Sequence, residues 1–351
     1  MISSWVVSHL SKEGLPPTRD ALSQYVLKKL EKTARYAGEH SNFYNEIFKK
    51  VGRAPVTISS LEDLSKLPFT CAGDLLKNPY YFLCVSQSEV LRGYSVETLA
   101  GENKQIFFTR DDLENVVDAI SSVFDSMGIS PNTNLAIVFP AEHEWGVPNL
   151  IRRAAAKSGG RTTQVDVPDL DQQLSQLKVL NPEMIIGSAQ QLFFLSTVML
   201  KQDISLTSYP KSVIVSHGCI PYIFTEKAKA TVERAWRNRV FEHFGITEMG
   251  FNVAFECGVH DGLHINEVDV YAEVIDPETG DPLPSGERGE LVLTSLSQRA
   301  MPILRYRTGY VSTIIDRPCT CGDALTRRLK IHSTLATDED LLNQPLVFRP
   351  F

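Results

Sequence analysis

Residues 241–248, Phe-Glu-His-Phe-Gly-Ile-Thr-Glu, set a hydroxyl and a carboxylate side by side just after a short apolar run. Val240-Phe241 reads as the end of a strand, and Gly245 as the residue that lets the chain turn tightly beneath a ligand. Thr247 and Glu248 are then the groups presented beyond the turn. A hydroxyl can donate to a phosphate oxygen, and a carboxylate can hold the Mg²⁺ that neutralises it. A helix cap uses the same two residue types, so the octapeptide alone leaves both readings open. Three further blocks follow it: Ile275-Asp-Pro-Glu-Thr-Gly280, Ser285-Gly-Glu-Arg-Gly-Glu-Leu-Val292 and Leu304-Arg-Tyr-Arg-Thr-Gly309.

A second constellation is suited to a metal. Cys257-Gly-Val-His260, His264 and Cys319-Thr-Cys321 offer four ligands from two short loops, the donor set of a closed, structural, tetrahedral Zn²⁺ site. Gly258 and Gly322 let the chain fold around an ion. The fourth ligand stays open between His260, which has the compact C-x-x-H spacing, and His264. Unrelated thiols are the alternative. Cys71, Cys84 and Cys219 show no partner spacing and read as buried thiols.

The elements that must carry these groups can be read from periodicity. Residues 19–50 and 61–77 read as surface helices, the first with Leu22, Tyr25, Val26, Leu30 and Ala34 near helical spacing. Apolar runs at 135–139, 185–186, 213–215 and 240–241 are strand-like. Helical patterns near 147–158, from 190 and over 225–237 lie between them. Such alternation predicts parallel, crossover-connected strands with helices on both faces. From about residue 263 the pattern becomes β-rich, with strands at 270–275 and 289–294 joined by a Pro/Gly-rich turn. The strand ending at Val215 leads into Ser216-His217-Gly218, the usual place for a ligand crevice in open α/β sheets.

Composition narrows the function classes. The 351 residues exceed one simple core. The net charge of -7, from 35 basic and 42 acidic residues spread along the chain, gives no basic run for nucleic acid or an anionic membrane. No apolar stretch approaches a spanning helix, and the N-terminus lacks the pattern of a signal peptide, so a cytoplasmic protein is expected. Six cysteines in such a chain suit thiols or metal ligands better than a disulfide framework. No G-x-S-x-G elbow supports a Ser-His-Asp hydrolase.

The order and spacing of the four blocks, with Leu67-Pro-Phe-Thr70 and Phe108-Thr-Arg-Asp-Asp112 ahead of them, resemble the adenylate-forming enzymes, in particular the phenylacetate–coenzyme A ligase branch. The resemblance covers roughly residues 20–330. It implies a large N-terminal domain over residues 1–331 with two α/β subdomains and a barrel-like β-rich part. It further implies ATP and AMP as nucleotides, Mg²⁺ at Glu248, coenzyme A as acyl acceptor and an aromatic or other small carboxylic acid as substrate. Thr247 and Glu248 take the catalytic positions. Phe244 takes the adenine-stacking position, and His217 and Gly218 lie on a loop passing the adenine and acyl pocket. Gly245, Arg307, Tyr310 and Arg327 complete the cofactor-binding set, while His143 and Trp145 are placed near the acid pocket. Relatives place a structural zinc at positions matching Cys257, Cys319 and Cys321, and His264 sits in a segment like theirs. A homodimer is expected from relatives alone.

Three departures from that pattern matter. The Ser/Thr/Gly-rich phosphate loop is reduced to Ser95-Val-Glu-Thr-Leu-Ala-Gly-Glu-Asn-Lys104, with Gly101 its one glycine and Ser95 and Thr98 its hydroxyls. Glu97 and Glu102 would repel a polyphosphate by about 4 kcal/mol per contact at 4 Å and an effective dielectric of 20. Mg²⁺ or Lys104 would offset part of this. Tyr310 stands where an aspartate accepts the ribose hydroxyls, a charge-assisted bond worth about 1.5–3 kcal/mol. The hinge-like Arg327-Arg-Leu-Lys-Ile331 is followed only by residues 332–351, a short tail in place of the mobile C-terminal domain. The sequence therefore supports an acid-activating ligase, with a catalytically impaired module that keeps an acid or AMP crevice as the alternative.

Overall fold

The alternating strands and helices of the middle of the chain assemble as the sequence predicts. In the computed structural model, residues 2–52, 57–97, 102–139, 145–167, 169–206, 208–217 and 224–335 are described. Strands β3 (Asn134–Val138), β4 (Arg161–Gln164), β5 (Met184–Ser188), β6 (Ser212–His217) and β7 (Val240–Phe244) are parallel neighbours in the order β4-β3-β5-β6-β7. Helices α6 (Arg110–Ser126) and α7 (Val147–Lys157) cover one face. The other carries α8 (Leu170–Leu180), α9 (Ala189–Lys201) and α10 (Glu226–Trp236). The period-two alternation of a strand decides which residue meets which layer. On β6, Val213 and Val215 pack towards α9 and α10, whereas Ile214 joins the cluster containing α6 and α7.

Beyond β7 the sheet continues without a break but turns antiparallel. Strands β8 (Ala254–Glu256), β9 (Leu263–Ile265), β13 (Arg328–Thr334), β12 (Tyr306–Ile315), β11 (Arg288–Ser295) and β10 (Val270–Ile275) follow in that spatial order, giving eleven strands among the described residues. The β-rich part therefore begins at Ala254 rather than near 263. Its parallel and antiparallel parts form one mixed sheet, and the strand–helix alternation is concentrated in a single five-stranded parallel run. The boundary expected at 331 falls inside β13, which runs on to Thr334.

The described residues at the start of the chain form helices α1 (Ile2–Lys12), α2 (Arg19–His40), α3 (Asn42–Lys50), α4 (Leu61–Ser65) and α5 (Ala72–Lys77). The helix expected over 19–50 is interrupted at Ser41. That residue is extended, and its Oγ accepts a hydrogen bond from the Tyr44 N–H to start α3. The stretch 61–77 likewise divides, at Leu67-Pro68, because proline removes a donor and disfavours helix before it. A separate hairpin pairs β1 (Arg92–Glu97) with β2 (Asn103–Phe108), and its strands include Ser95, Glu97 and Lys104 of the segment expected to be the phosphate loop.

Candidate active site and metal centre

The parallel pairing of β6 with β7 puts His217 opposite Phe244 at the carboxyl ends of both strands. Their rings lie 5.7 Å apart, and the Gly245 N–H donates to the His217 carbonyl at 3.0 Å. Gly245 is required here by close approach: a Cβ on it would sit 1.6 Å from the Phe251 carbonyl oxygen. The chain then enters a short 3₁₀ turn, Thr247–Met249, closed by Gly250 in the left-handed region at φ 73°. Thr247 and Glu248 both sit on this turn, and both are buried.

What faces them differs from the expectation in one decisive respect. The ammonium of Lys104, reaching across from β2, lies 2.5 Å from Glu248 Oε1 and donates to the Tyr306 hydroxyl at 2.8 Å. The Lys104 and Glu248 side chains are only 6% and 4% exposed. Burial and the Glu248 carboxylate together push the Tyr306 hydroxyl well above the usual tyrosine range, so it stays protonated. Magnesium demands near-octahedral oxygens and keeps several waters. The buried carboxylate is already paired with the ammonium, and a divalent ion about 4 Å from that ammonium would meet roughly 8 kcal/mol of repulsion at an effective dielectric of 20. The residues present do not fit Mg²⁺ at Glu248.

Phe244 is also covered. Tyr310 stands edge-on to it with ring centroids 5.2 Å apart, and Phe244 has no exposed surface. An adenine could stack on Phe244 only if its cover moved. Arg307 and Arg327 are brought into ion pairs instead of this crevice. Arg307 grips Glu290 through Nε at 2.8 Å. Arg327 Nε donates to Glu267 Oε1 at 2.7 Å, and Arg19 of α2 holds the same carboxylate at 2.5 Å. Burial of Glu267 makes this a structural clamp between the N-terminal helices and β13. Gly218, Thr98, Gly101, His143 and Cys219 lie outside the described residues. Glu97 and Glu102 flank the hairpin tip and are exposed.

Sequence reasoning missed the residue one step before Phe244. His243 points to the opposite face of β7, into an apolar cavity of about 40 Å³ walled by Ile120, Val123, Phe124, Ile151 and Phe255. Its Nδ1 is 2.9 Å from Ser216 Oγ. Burial, with the nearby His217 second, lowers the His243 pKa to about 4, so the imidazole is neutral. Asn252 joins the same lining beside His243. The signal was the strand period: alternation across β7 sends 243 to one side and 244 to the other. On the remaining flank, His217 Nε2 lies 3.2 Å from Glu242 Oε2, out of hydrogen-bonding alignment, and Lys229 pairs with that carboxylate at 2.5 Å. Although burial opposes it, these partners bring the Glu242 pKa down to about 2.

The thiols converge. Cys257 follows β8, His264 is the centre of β9, and Cys319 and Cys321 sit in the β12–β13 loop. Their ligand atoms all lie within 4.8 Å of one another. Cys257 Sγ is 3.8 Å from Cys319 Sγ, and Cys321 Sγ is 3.6 Å from His264 Nε2. Two sulfurs about 2.3 Å from a tetrahedral zinc would be roughly 3.8 Å apart, and a sulfur and an imidazole nitrogen roughly 3.6 Å apart. His264 Nδ1 faces Asp323 Oδ2 at 3.0 Å and Thr326 Oγ1 at 2.9 Å, which turns Nε2 towards the thiols. The donors fit Zn²⁺. The other candidate histidine, His260, is directed away, with Nδ1 3.0 Å from Glu256 Oε2 and its ring against Phe241.

These geometries can be set beside known proteins. No family model matches the chain. Over 300 residues it is 30% identical to the phenylacetate–coenzyme A ligase of Pseudomonas putida, spanning 82% of this chain and 66% of that enzyme. To the phenylacetate–coenzyme A ligase of Escherichia coli K12 it is 27% identical over 322 residues, 88% of this chain and 70% of the relative. The chain thus spans about two thirds of the length of the curated relatives it matches. Among solved structures, an open conformation of 2-hydroxyisobutyryl-CoA ligase, in complex with 2-HIB-AMP and CoA, superposes with a TM-score of 0.77 at 21% identity. That match covers 90% of this chain and 75% of that one. The shared fold and the sequence identity agree with the motif order, and the chain belongs to the phenylacetate–coenzyme A ligase-like branch of the adenylate-forming superfamily.

Proposed function

We propose that the protein handles a small carboxylic acid by acid–thiol ligase chemistry, holding the acid and its adenylate on either side of β7. The observation that carries this reading is the meeting of Ser216, His217, Phe244, Thr247 and Glu248 at the carboxyl ends of β6 and β7, next to an apolar cavity. The cavity takes the body of the acid. Its polar end, the neutral His243 with Ser216, offers hydrogen-bonding groups to an uncharged polar substituent of the acid. The adenylate takes the side of Phe244, once Tyr310 swings aside, and the Thr247 hydroxyl donates to its α-phosphate. Orientation of acid against phosphate is what such a crevice supplies to the reaction. Coenzyme A is the acyl acceptor in this reading. An aromatic acid is one candidate, and a panel of aryl and small aliphatic acids in ATP–pyrophosphate exchange tests it. Exchange stimulated by one acid class supports the ligase.

A second reading is favoured by the buried Lys104–Glu248 pair and by the cover over Phe244. It makes the chain a binding module that retains the acid and adenylate crevice without turnover. Background exchange with every acid, alongside measurable acid or AMP binding, selects it. In both readings zinc, held by Cys257, His264, Cys319 and Cys321, staples the segment after the Thr-Glu turn to the strand pair β12–β13. A homodimer, proposed from the family, is tested by sedimentation at micromolar concentration.

A further inference from the structure

We propose that Lys104 takes the place of a divalent cation in this crevice, so that adenylate binding here is independent of metal. This rests on the adenylate reading above, but the lysine's role can be tested without a nucleotide. Three observations support it. The ammonium sits on the very carboxylate that would carry the metal, at 2.5 Å. Its position is fixed by a second partner, the Tyr306 hydroxyl at 2.8 Å, and by the Tyr306 ring, whose centroid is 5.3 Å away. Both charged ends are buried, so solvent does not screen them. A bound Mg²⁺ and a carboxylate together leave net positive charge for a phosphate. Lysine and the same carboxylate leave none. Such a crevice tolerates one phosphate and does little for three.

Lys104 is set by register. It pairs with Val96 across the β1–β2 hairpin, and the alternation that turns its side chain inwards turns those of the neighbouring Glu97–Asn103 pair outwards. The hairpin that carries the weakened phosphate loop therefore also carries the internal cation. One strand both loses the polyphosphate contacts and supplies the counter-charge.

The test has two arms on the full chain. Calorimetry of AMP binding with excess EDTA and with excess Mg²⁺ should give the same affinity for the native protein. Lys104→Met should weaken binding in EDTA and recover about tenfold or more on adding Mg²⁺. A native affinity that rises about tenfold with Mg²⁺ would overturn the proposal. If AMP binds under neither condition, the adenylate reading fails and the second arm decides the lysine's role. There, Mn²⁺ binding is followed by electron paramagnetic resonance in native protein, Glu248→Gln, Lys104→Met and the charge-balanced Lys104→Met/Glu248→Gln. Only Lys104→Met should gain a site, one that the double variant lacks. A site in the native protein that Glu248→Gln abolishes, or no gain in a folded Lys104→Met, refutes it. Should Lys104→Met not fold, the native and Glu248→Gln comparison decides alone: equal Mn²⁺ binding supports the proposal and loss of one ion overturns it.

Discussion

Tyr310 stands edge-on against Phe244, with ring centroids 5.2 Å apart and planes at 84°, covering the ring on which the sequence resemblance would stack an adenine. Packing rather than ligand contact now occupies that position. Tyr310→Asp should uncover Phe244 and restore an acceptor pair for ribose, raising AMP affinity about tenfold or more. Calorimetry on the variant checks this. The variant should also lose stability, since a buried ring is removed.

Zinc content is the second expectation. Protein purified without added metal should contain close to one zinc per chain by elemental analysis. Cys319→Ser with Cys321→Ser should abolish it and lower the melting temperature, because binding the ion is coupled to folding. His264→Ala should lose the metal, and His260→Ala should keep it. Zinc retained in the double cysteine variant would refute the assignment.

Gly245→Ala should be among the most damaging single-methyl changes in the chain. The new Cβ would lie 1.6 Å from the Phe251 carbonyl oxygen, a backbone atom that cannot swing away. A loss of about 4 kcal/mol or more is expected. Gly73→Ala, in α5 with open space around it, should be neutral or slightly stabilising. Urea unfolding of both variants makes the comparison.

The pH dependence of stability follows from His243. Its folded pKa is about 4, against an ordinary value of 6.5. Between those values the unfolded chain binds the proton more readily than the folded one, so stability falls as pH drops from 6.5 towards 4. The loss should be on the order of 3 kcal/mol. His243→Gln should flatten that window. Glu242, with its pKa near 2, adds a separate loss only at lower pH. An unchanged slope in the variant would place the titration elsewhere.

Much of this was legible before the coordinates. Strand 270–275 and the helices at 147–158 and 225–237 were readable because their apolar spacing is regular and their ends carry Gly, Thr or Pro. Cys257, Cys319 and Cys321 were readable as a donor set, but the choice of His264 over His260 was not. It depends on β9 pairing with β13, which brings Arg328 opposite His264 and the β12–β13 loop over it. Glu248 was recognised by its motif, and Lys104 was seen as a possible counter-charge to the loop's own acids. That the lysine reaches Glu248 is a long-range consequence of how the hairpin packs, and no local pattern encodes it. The cavity beside His243 is likewise assembled at long range, from α6, α7 and the strands β5, β6, β7 and β8.

In the proposed reading, the crevice keeps the adenylate side of ligase chemistry and lacks provision for polyphosphate and metal. Calorimetric titration of the native protein with AMP in EDTA and with ATP in excess Mg²⁺ tests it most directly. The expected result is weak but measurable AMP binding, about tenfold or more tighter than ATP. Tight ATP binding that depends on Mg²⁺ would contradict it.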